Sequence, residues 1–228
     1  MQHRVLVITG ASSGIGAATA RAASREGYKL VLAARSREKL TALAEELGPE
    51  NVLAMGCDVT AMEDLQAMVE QAMERFGRID AVFANAGRGG SPGGFSGADH
   101  EAWRDMILTN IYGVGLTLQA TLPALRRSRG HVLLTGSAAG RATIPGSMYG
   151  ATKWAVSGIG YNLREELRGS GIRVTLIEPG MVDTPFFDDP PEHALEDRDI
   201  ASAVTYALGQ PAHVDVNEIL VRPTPPLE

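Results

Sequence analysis

The feature that most narrows what this chain can fold into is a regular exchange of two short patterns. Runs of β-branched or apolar residues recur at Val5–Thr9, Leu30–Ala34, Val52–Met55, Ala81–Ala84, His131–Thr135, Arg173–Ile177 and Ile219–Val221. Between the early runs lie stretches with helical spacing, Ala17–Glu26, Glu38–Leu47 and Met62–Phe76, each closed by a glycine at 27, 48 or 77. Strands that are apolar on both faces need cover on both sides, and a helix after each early strand supplies it. The pattern therefore predicts an α/β fold: a three-layer, doubly wound parallel sheet of about seven strands with helices on both faces, binding its ligands at the carboxyl ends of the strands. A chain of 228 residues, 44% of them hydrophobic, suffices for one such core. The Gly/Ser/Pro-rich stretch 87–97 reads as a loop over the sheet edge, and no repeat or linker interrupts the pattern. Residues 1–228 are thus expected to form a single domain.

Directly after the first run stands Thr9-Gly10-Ala11-Ser12-Ser13-Gly14-Ile15-Gly16, opening into the first helical stretch. Glycines there permit a tight turn, let backbone approach a pyrophosphate and let helix pack closely on strand, the arrangement of the Rossmann dinucleotide fold. On this reading Gly10, Ser12, Ser13, Gly14, Ile15 and Gly16 cradle phosphate; the plain alternative is an ordinary strand-to-helix turn. Folds that choose NAD place Asp or Glu at the end of the second strand to bond the ribose 2′-hydroxyl. Here that strand ends Leu32-Ala33-Ala34-Arg35-Ser36-Arg37, with no acid. A planar, permanently charged guanidinium at Arg35 suits a 2′-phosphate, so NADP is the expected cofactor, with Arg37 as a second cation. The competing reading is that both arginines are solvated residues at a helix start.

Charge excludes other classes. A formal net charge of −6 offers no basic footprint for nucleic-acid phosphates or anionic lipid, so neither nucleic acid nor membrane is expected as a partner. The lone Cys57 can form no internal disulfide and anchor no thiolate metal site, which leaves it as a small buried hydrophobe and no metal expected. Only Val5–Thr9 separates the opening residues from Gly10, too few for a signal-peptide core or a membrane span, and a cytoplasmic location is the expectation.

Lysine is scarce, at positions 29, 39 and 153 only, so a functional lysine stands out. Lys153 lies four residues after Tyr149, within the helical stretch Met148–Leu167. That spacing puts both side chains on one helix face. A cation there could stabilise a phenolate and make the tyrosine proton movable near neutrality, although a lone Tyr/Lys pair is most often structural. Ala151, Ala155, Ile159, Leu163 and Leu167 recur every fourth residue and read as a packing stripe opposite the Tyr/Lys face. Upstream, the run His131–Thr135 delivers Gly136-Ser137-Ala138-Ala139-Gly140, placing the Ser137 hydroxyl at a strand end where a substrate oxygen could be held; an ordinary turn serine is the alternative.

Taken in order, these residues resemble the short-chain dehydrogenase/reductase family over nearly the whole chain. The turn at 9–16 is similar to its T-G-x-x-x-G-x-G, Tyr149 to Lys153 to its Y-x-x-x-K, and Ser137 stands a dozen residues before the tyrosine. Asp58-Val59, Ala84-Asn85-Ala86-Gly87, Asn110 and Glu178-Pro179-Gly180-Met181-Val182-Asp183-Thr184 extend the match. The resemblance implies that Ser137 polarises a substrate carbonyl and Tyr149 exchanges the proton. It implies too that Lys153 holds the nicotinamide ribose and lowers the tyrosine pKa, and that Asn110 supports a water beside Lys153. Asp58 with Val59 would contact the adenine, Asn85 to Gly87 the adenosine side, and Pro179, Gly180, Val182 and Thr184 the carboxamide. The implied activity is NADP(H)-dependent hydride exchange with a small carbonyl or alcohol substrate, in a homo-oligomer, dimer or tetramer. A non-catalytic NADP-binding regulator on the same fold is the alternative.

Departures from the family pattern are visible. The family's paired asparagines are Ala84-Asn85 here, and Ser13 stands where some NADP-preferring members carry a basic residue, so the 2′-phosphate reading rests on Arg35. The substrate lid looks truncated to a short loop near 185–198: Pro190 and Pro191 forbid a continuous helix, while Phe186 and Phe187 supply either an apolar wall or loop anchors. The remaining pocket candidates are Gly87–Phe95, Ala139, Ile144, Met148 and Met181. The tail 216–224 resembles that of NADP-dependent members acting on small hydroxy compounds and hydroxy acids.

Overall fold

A computed structural model describes residues 3–90, 92–187 and 192–224. Seven strands form one sheet: β1 (Val5–Thr9), β2 (Lys29–Ala34), β3 (Val52–Gly56), β4 (Ala81–Ala84), β5 (His131–Thr135), β6 (Arg173–Pro179) and, last in the chain, a strand at Glu218–Val221. Between β6 and that last strand come two short pieces, β7 (Val182–Asp183) and β8 (Leu195–Glu196), so the last strand is β9. The sheet order is β3-β2-β1-β4-β5-β6-β9, every pairing parallel. The strand order reverses between β1 and β4, which opens a crevice at their carboxyl ends, the place where such sheets bind ligands.

Alternate residues along the strands feed two separate cores. Val5, Val7, Val31, Ala33 and Val82 point to one side, where Leu65, Met68 and Ala72 of α3 (Met62–Phe76), Leu125 of α6 (Gly113–Ser128) and Val156 of α7 (Met148–Glu166) cover them. Leu6, Ile8, Leu30, Leu32 and Phe83 point to the other, beneath α1 (Gly14–Arg25), α2 (Arg37–Leu47) and α8 (Asp197–Gly209). Both faces being covered accounts for strands that read as continuous apolar runs. Two short helices, α4 (Gly94–Gly97) and α5 (His100–Ile107), lie between β4 and α6, and a five-residue π-helical turn, Leu108–Tyr112, joins α5 to α6. The stretch expected as a loop over the sheet edge therefore ends in a helical turn.

The packing stripe expected on α7 is corrected. Ala151 is exposed and Ala155 and Ile159 are half-buried, while the buried face is Thr152, Lys153, Val156, Ser157, Gly160 and Leu163. A four-residue spacing advances about 40° beyond a full turn at each step, so such a row drifts around the helix until Leu163 joins the face of Lys153. The Tyr/Lys side is thus the packed side, laid so close on the sheet that a Cβ at Gly160 would sit 2.9 Å from Leu176.

The loop expected to cover the substrate is flanked by β7 and β8, which pair in parallel, with Leu195 N donating to the Met181 carbonyl at 2.9 Å. Pro190 and Pro191 lie outside the described residues. Among the described residues no helix is long and apolar enough to cross a membrane, and no cluster of His, Cys, Asp and Glu could hold a metal ion. Cys57 is buried, and burial pushes its thiol up to about 12.

Candidate active site

A cleft of about 590 Å³ runs along the carboxyl ends of β1 to β6. Every catalytic and cofactor residue expected from the sequence lines it except Gly16, Asn110 and the second cation, Arg37. One end of the cleft is the turn after β1. Gly10 has φ +65°, and a Cβ there would lie 2.8 Å from the Ala86 Cα; Gly14 has φ +49°, and a Cβ there would meet the Thr184 methyl at 3.0 Å. Gly16, behind the wall, takes part indirectly: a Cβ on it would press on Asn85 Nδ2 at 2.8 Å and collide with the turn's own backbone. The α1 helix starts at Gly14 with no side-chain cap at Ser13, leaving first-turn N–H groups for an anion.

Asn85 serves as a brace. Its Nδ2 donates to the Thr9 and Gly10 carbonyls at 3.1 and 3.3 Å, its Oδ1 accepts from Thr135 Oγ1 at 3.1 Å, and its N–H and that of Ala86 donate to Thr9 Oγ1, each at 3.1 Å. The ends of β1, β4 and β5 are tied through one carboxamide. Where the cleft passes the end of β3, Asp58 accepts from the Thr60 N–H and hydroxyl at 2.9 and 2.8 Å. Those bonds, with help from the Arg35 charge, hold its carboxyl below the usual range. Arg35 is exposed at the cleft wall, whereas Arg37 lies across Gly56 at the end of β3 and does not line the cleft.

At the other end, Ser137 and Tyr149 meet. Ser137 is buried, its Oγ 3.1 Å from the Ala139 N–H and 3.3 Å from the Pro179 carbonyl, and it shares a hydrogen bond with Tyr149. Burial raises the Tyr149 phenol, and the Ser137 bond pulls it back. Lys153, also buried, is lowered by that burial to about 8. Its Nζ donates to the Thr135 carbonyl at 2.8 Å and lies 5.7 Å from the centre of the Tyr149 ring. The ammonium is thus held by the strand end beneath the ring, and burial dominates the phenol's acidity.

Asn110 is buried in the π-helical turn behind the wall. Its carboxamide accepts from the Arg88 N–H at 2.8 Å and donates to the Arg88 carbonyl at 3.0 Å and to Thr152 Oγ1 at 3.1 Å. It therefore joins the loop after β4 to α7 one residue before Lys153. The bracing roles of Thr9, Thr135, Thr152 and the Arg88 main chain were not read from the sequence, because hydroxyl and main-chain partners carry no spacing signal. Arg88 reaches Asp105 at 3.2 Å across the rim.

The apolar wall is Phe186 and Phe187, with ring centres 5.1 Å apart. The Phe186 ring lies 5.7 Å from that of Tyr149 and fits against Gly89, whose Cβ, if present, would stand 3.5 Å from it. Of the other pocket candidates, Gly87, Arg88 and Gly89 line the cleft, while Ala139, Met148, Phe95, Ile144 and Met181 do not, the last three being exposed; Ser91 lies outside the described residues.

Comparison with known proteins agrees with this geometry. A family model described as short chain dehydrogenase matches residues 4–194. An uncharacterized oxidoreductase of Staphylococcus haemolyticus is 42% identical over 228 residues, covering 98% of each chain. An alcohol dehydrogenase from the archaeon Thermococcus sibiricus, solved with 5-hydroxy-NADP, superposes with a TM-score of 0.91 at 37% identity, covering 99% of this chain and 100% of its own. A 3-ketoacyl-(acyl-carrier-protein) reductase from Brucella melitensis, solved with NADH, gives 0.89 at 27% identity and covers 96% of each chain.

Proposed function

The chain belongs to the short-chain dehydrogenase family, and from that premise we propose that it is an NADP(H)-dependent oxidoreductase interconverting a carbonyl group and its alcohol. The observation that carries the reading is convergence: the phosphate turn, Arg35, Ser137, Tyr149 and Lys153 all line one cleft. The residues present fit a dinucleotide, since the glycine positions leave no room for side chains, the α1 start lacks a cap, and cation and carboxylate stand at the adenosine end. Arg35 favours the 2′-phosphate of NADP, where a carboxylate would repel it. When bound, the nicotinamide supplies or accepts the hydride.

The chain's own residues then have distinct tasks. As negative charge builds on the substrate oxygen, the Ser137 hydroxyl orients that oxygen and the Tyr149 hydroxyl gives it a proton. Lys153, held on the Thr135 carbonyl, keeps a donor beside the tyrosine for ribose hydroxyls. Asn110 holds the Arg88 main chain against α7, so Lys153 keeps its place. Phe186 and Phe187 exclude water from the Tyr149 side and favour small, uncharged or apolar substituents on the substrate.

The test is purified protein with NADPH and NADH in parallel against a panel of aldehydes, ketones and hydroxy acids, read by nicotinamide absorbance. Turnover with a carbonyl, faster or tighter with NADPH, is expected; no turnover with any member overturns the reading. A homo-oligomer is part of the proposal. Leu108, Tyr112, Trp154 and Tyr161 are exposed apolar residues on the elements that carry Asn110 and Tyr149, and they suit burial against a second copy. Light scattering should give a dimer or tetramer mass, and a monomer mass rejects it.

A further inference from the structure

Behind the cleft, outside its lining, lies an ion pair with a buried carboxylate that joins the two segments bearing Ser137 and Tyr149/Lys153 to β6. Glu178, near the end of β6, is 1% exposed. Its Oε1 accepts from Arg141 Nε at 2.8 Å and lies 3.3 Å from the Ser157 hydroxyl. Arg141 follows the turn after β5, and its guanidinium reaches Glu218 on β9 at 2.5 Å and the Tyr161 hydroxyl on α7. Those carboxylates hold the guanidinium firmly in its charged form.

The pair fits between the reacting groups. Gly136 stands between Thr135, whose carbonyl holds Lys153, and Ser137; a Cβ there would lie 2.9 Å from Glu178 Cγ. Four residues on, a Cβ at Gly140 would lie 2.7 Å from the Lys153 carbonyl oxygen, so the turn after Ser137 rests directly on the backbone of α7. Ser157, one helical turn after Lys153, has its hydroxyl 3.3 Å from both that carbonyl and Glu178 Oε1. Such a pair is a poor source of stability, because desolvating the buried Glu178 carboxylate offsets much of its attraction to the half-buried Arg141. The planar guanidinium, with Nε on Glu178 and its other nitrogens on Glu218 and the Tyr161 hydroxyl, does fix direction.

We propose that Arg141 and Glu178 are positioning residues for the reaction: the pair sets the separation between Ser137 and the Tyr149/Lys153 helix by clamping the turn after β5 to β6 and α7. Neither residue lines the cleft, so neither touches cofactor or substrate. The inference rests on the oxidoreductase reading above.

The test compares wild type, Glu178→Gln, Arg141→Met, the double variant and Arg141→Lys, each confirmed folded by circular dichroism and by stoichiometric NADPH binding. A misplacement of reacting groups by a fraction of an ångström is expected to lower kcat about tenfold or more in each single variant. The Kd for NADPH should stay within about twofold, and the double variant should be no slower than the worse single one. Arg141→Lys, which keeps charge but not the planar guanidinium, should recover only part of kcat. The isotope effect with deuterium-labelled NADPH should grow, since hydride transfer becomes slower relative to product release; a merely structural loss would leave it unchanged. Should Glu178→Gln not fold, the partly exposed Arg141→Lys decides by the same kcat and isotope readouts. Folded variants with wild-type kcat, a loss confined to Kd, or an unchanged isotope effect overturn the pair's role while leaving an active wild type intact; an inactive wild type overturns both readings.

Discussion

Removing one oxygen from Tyr149 isolates the proton it is proposed to move. Tyr149→Phe keeps the ring that packs on Phe186 and leaves the Lys153 bond to Thr135 untouched. General acid catalysis contributes about 10²–10⁴-fold, so kcat should fall by that factor while NADPH titration by fluorescence gives an unchanged Kd. Near-normal turnover in that variant would remove the proton-transfer role. That Ser137, Tyr149 and Lys153 come together in one cleft was legible in the sequence, because each stands on a residue type and a spacing that the expected chemistry asks for. What was illegible is how they are held. Lys153 leans on a main-chain carbonyl, Asn110 on the main chain of Arg88, and Thr9 on two N–H groups of another strand. Any residue type offers a main-chain partner, so no pattern announces one. The same blindness hid the balance at Tyr149, where burial outweighs the Ser137 hydrogen bond and the phenol is raised.

The helix that carries Tyr149 and Lys153 depends on its first turn. Ser147 caps α7, its Oγ accepting from the Gly150 N–H at 2.9 Å, and Tyr149 is the second residue of that turn. Loss of such a cap costs about 1 kcal/mol, equivalent to roughly 2–4 °C in Tm for a domain of this size. Ser147→Ala should show that shift in thermal unfolding, together with a lower kcat because the fraying turn carries the tyrosine. Ser147→Asp, which can also accept the bond, should restore both; a kcat that stays at wild-type level in Ser147→Ala would separate the cap from the chemistry. Elements with long periodic runs were readable from the chain, α3 to its very ends. Others escaped for definite reasons. The π-helical turn adds one residue per turn without altering composition, and the two-residue strands β7 and β8 are too short for an alternation to register. The α7 stripe misled because a spacing of four, unlike a mixture of three and four, does not hold one face.

The whole molecule closes through the amino end of its sheet, where the order of strands, unreadable from periodicity, brings β5, β6 and the segment before β9 together. His131 is buried there, its Nε2 2.7 Å from Thr175 Oγ1. The Thr175 hydroxyl donates to the Val216 carbonyl at 2.5 Å, so it must accept from the ring, which fixes the proton on Nε2. Nδ1 then carries a bare lone pair with no partner among the described residues. Protonating it would bury a cation beside Arg173, and burial, followed by that charge, lowers the imidazole to about 3. The unfolded chain binds its proton near the ordinary value of about 6.5. Between those two values the unfolded state holds more protons, so stability is fully present above about pH 6.5 and is lost as pH falls toward 3. At about 1.4 kcal/mol per unit, the histidine alone removes roughly 2–3 kcal/mol between pH 7 and pH 4. His131→Gln keeps an N–H for Thr175 and never charges. Urea unfolding of both proteins across that range should show the wild type losing more stability than the variant by this amount, the carboxylates common to both cancelling in the difference. Parallel losses would mean that the ring finds an acceptor on protonation and that acid sensitivity lies elsewhere.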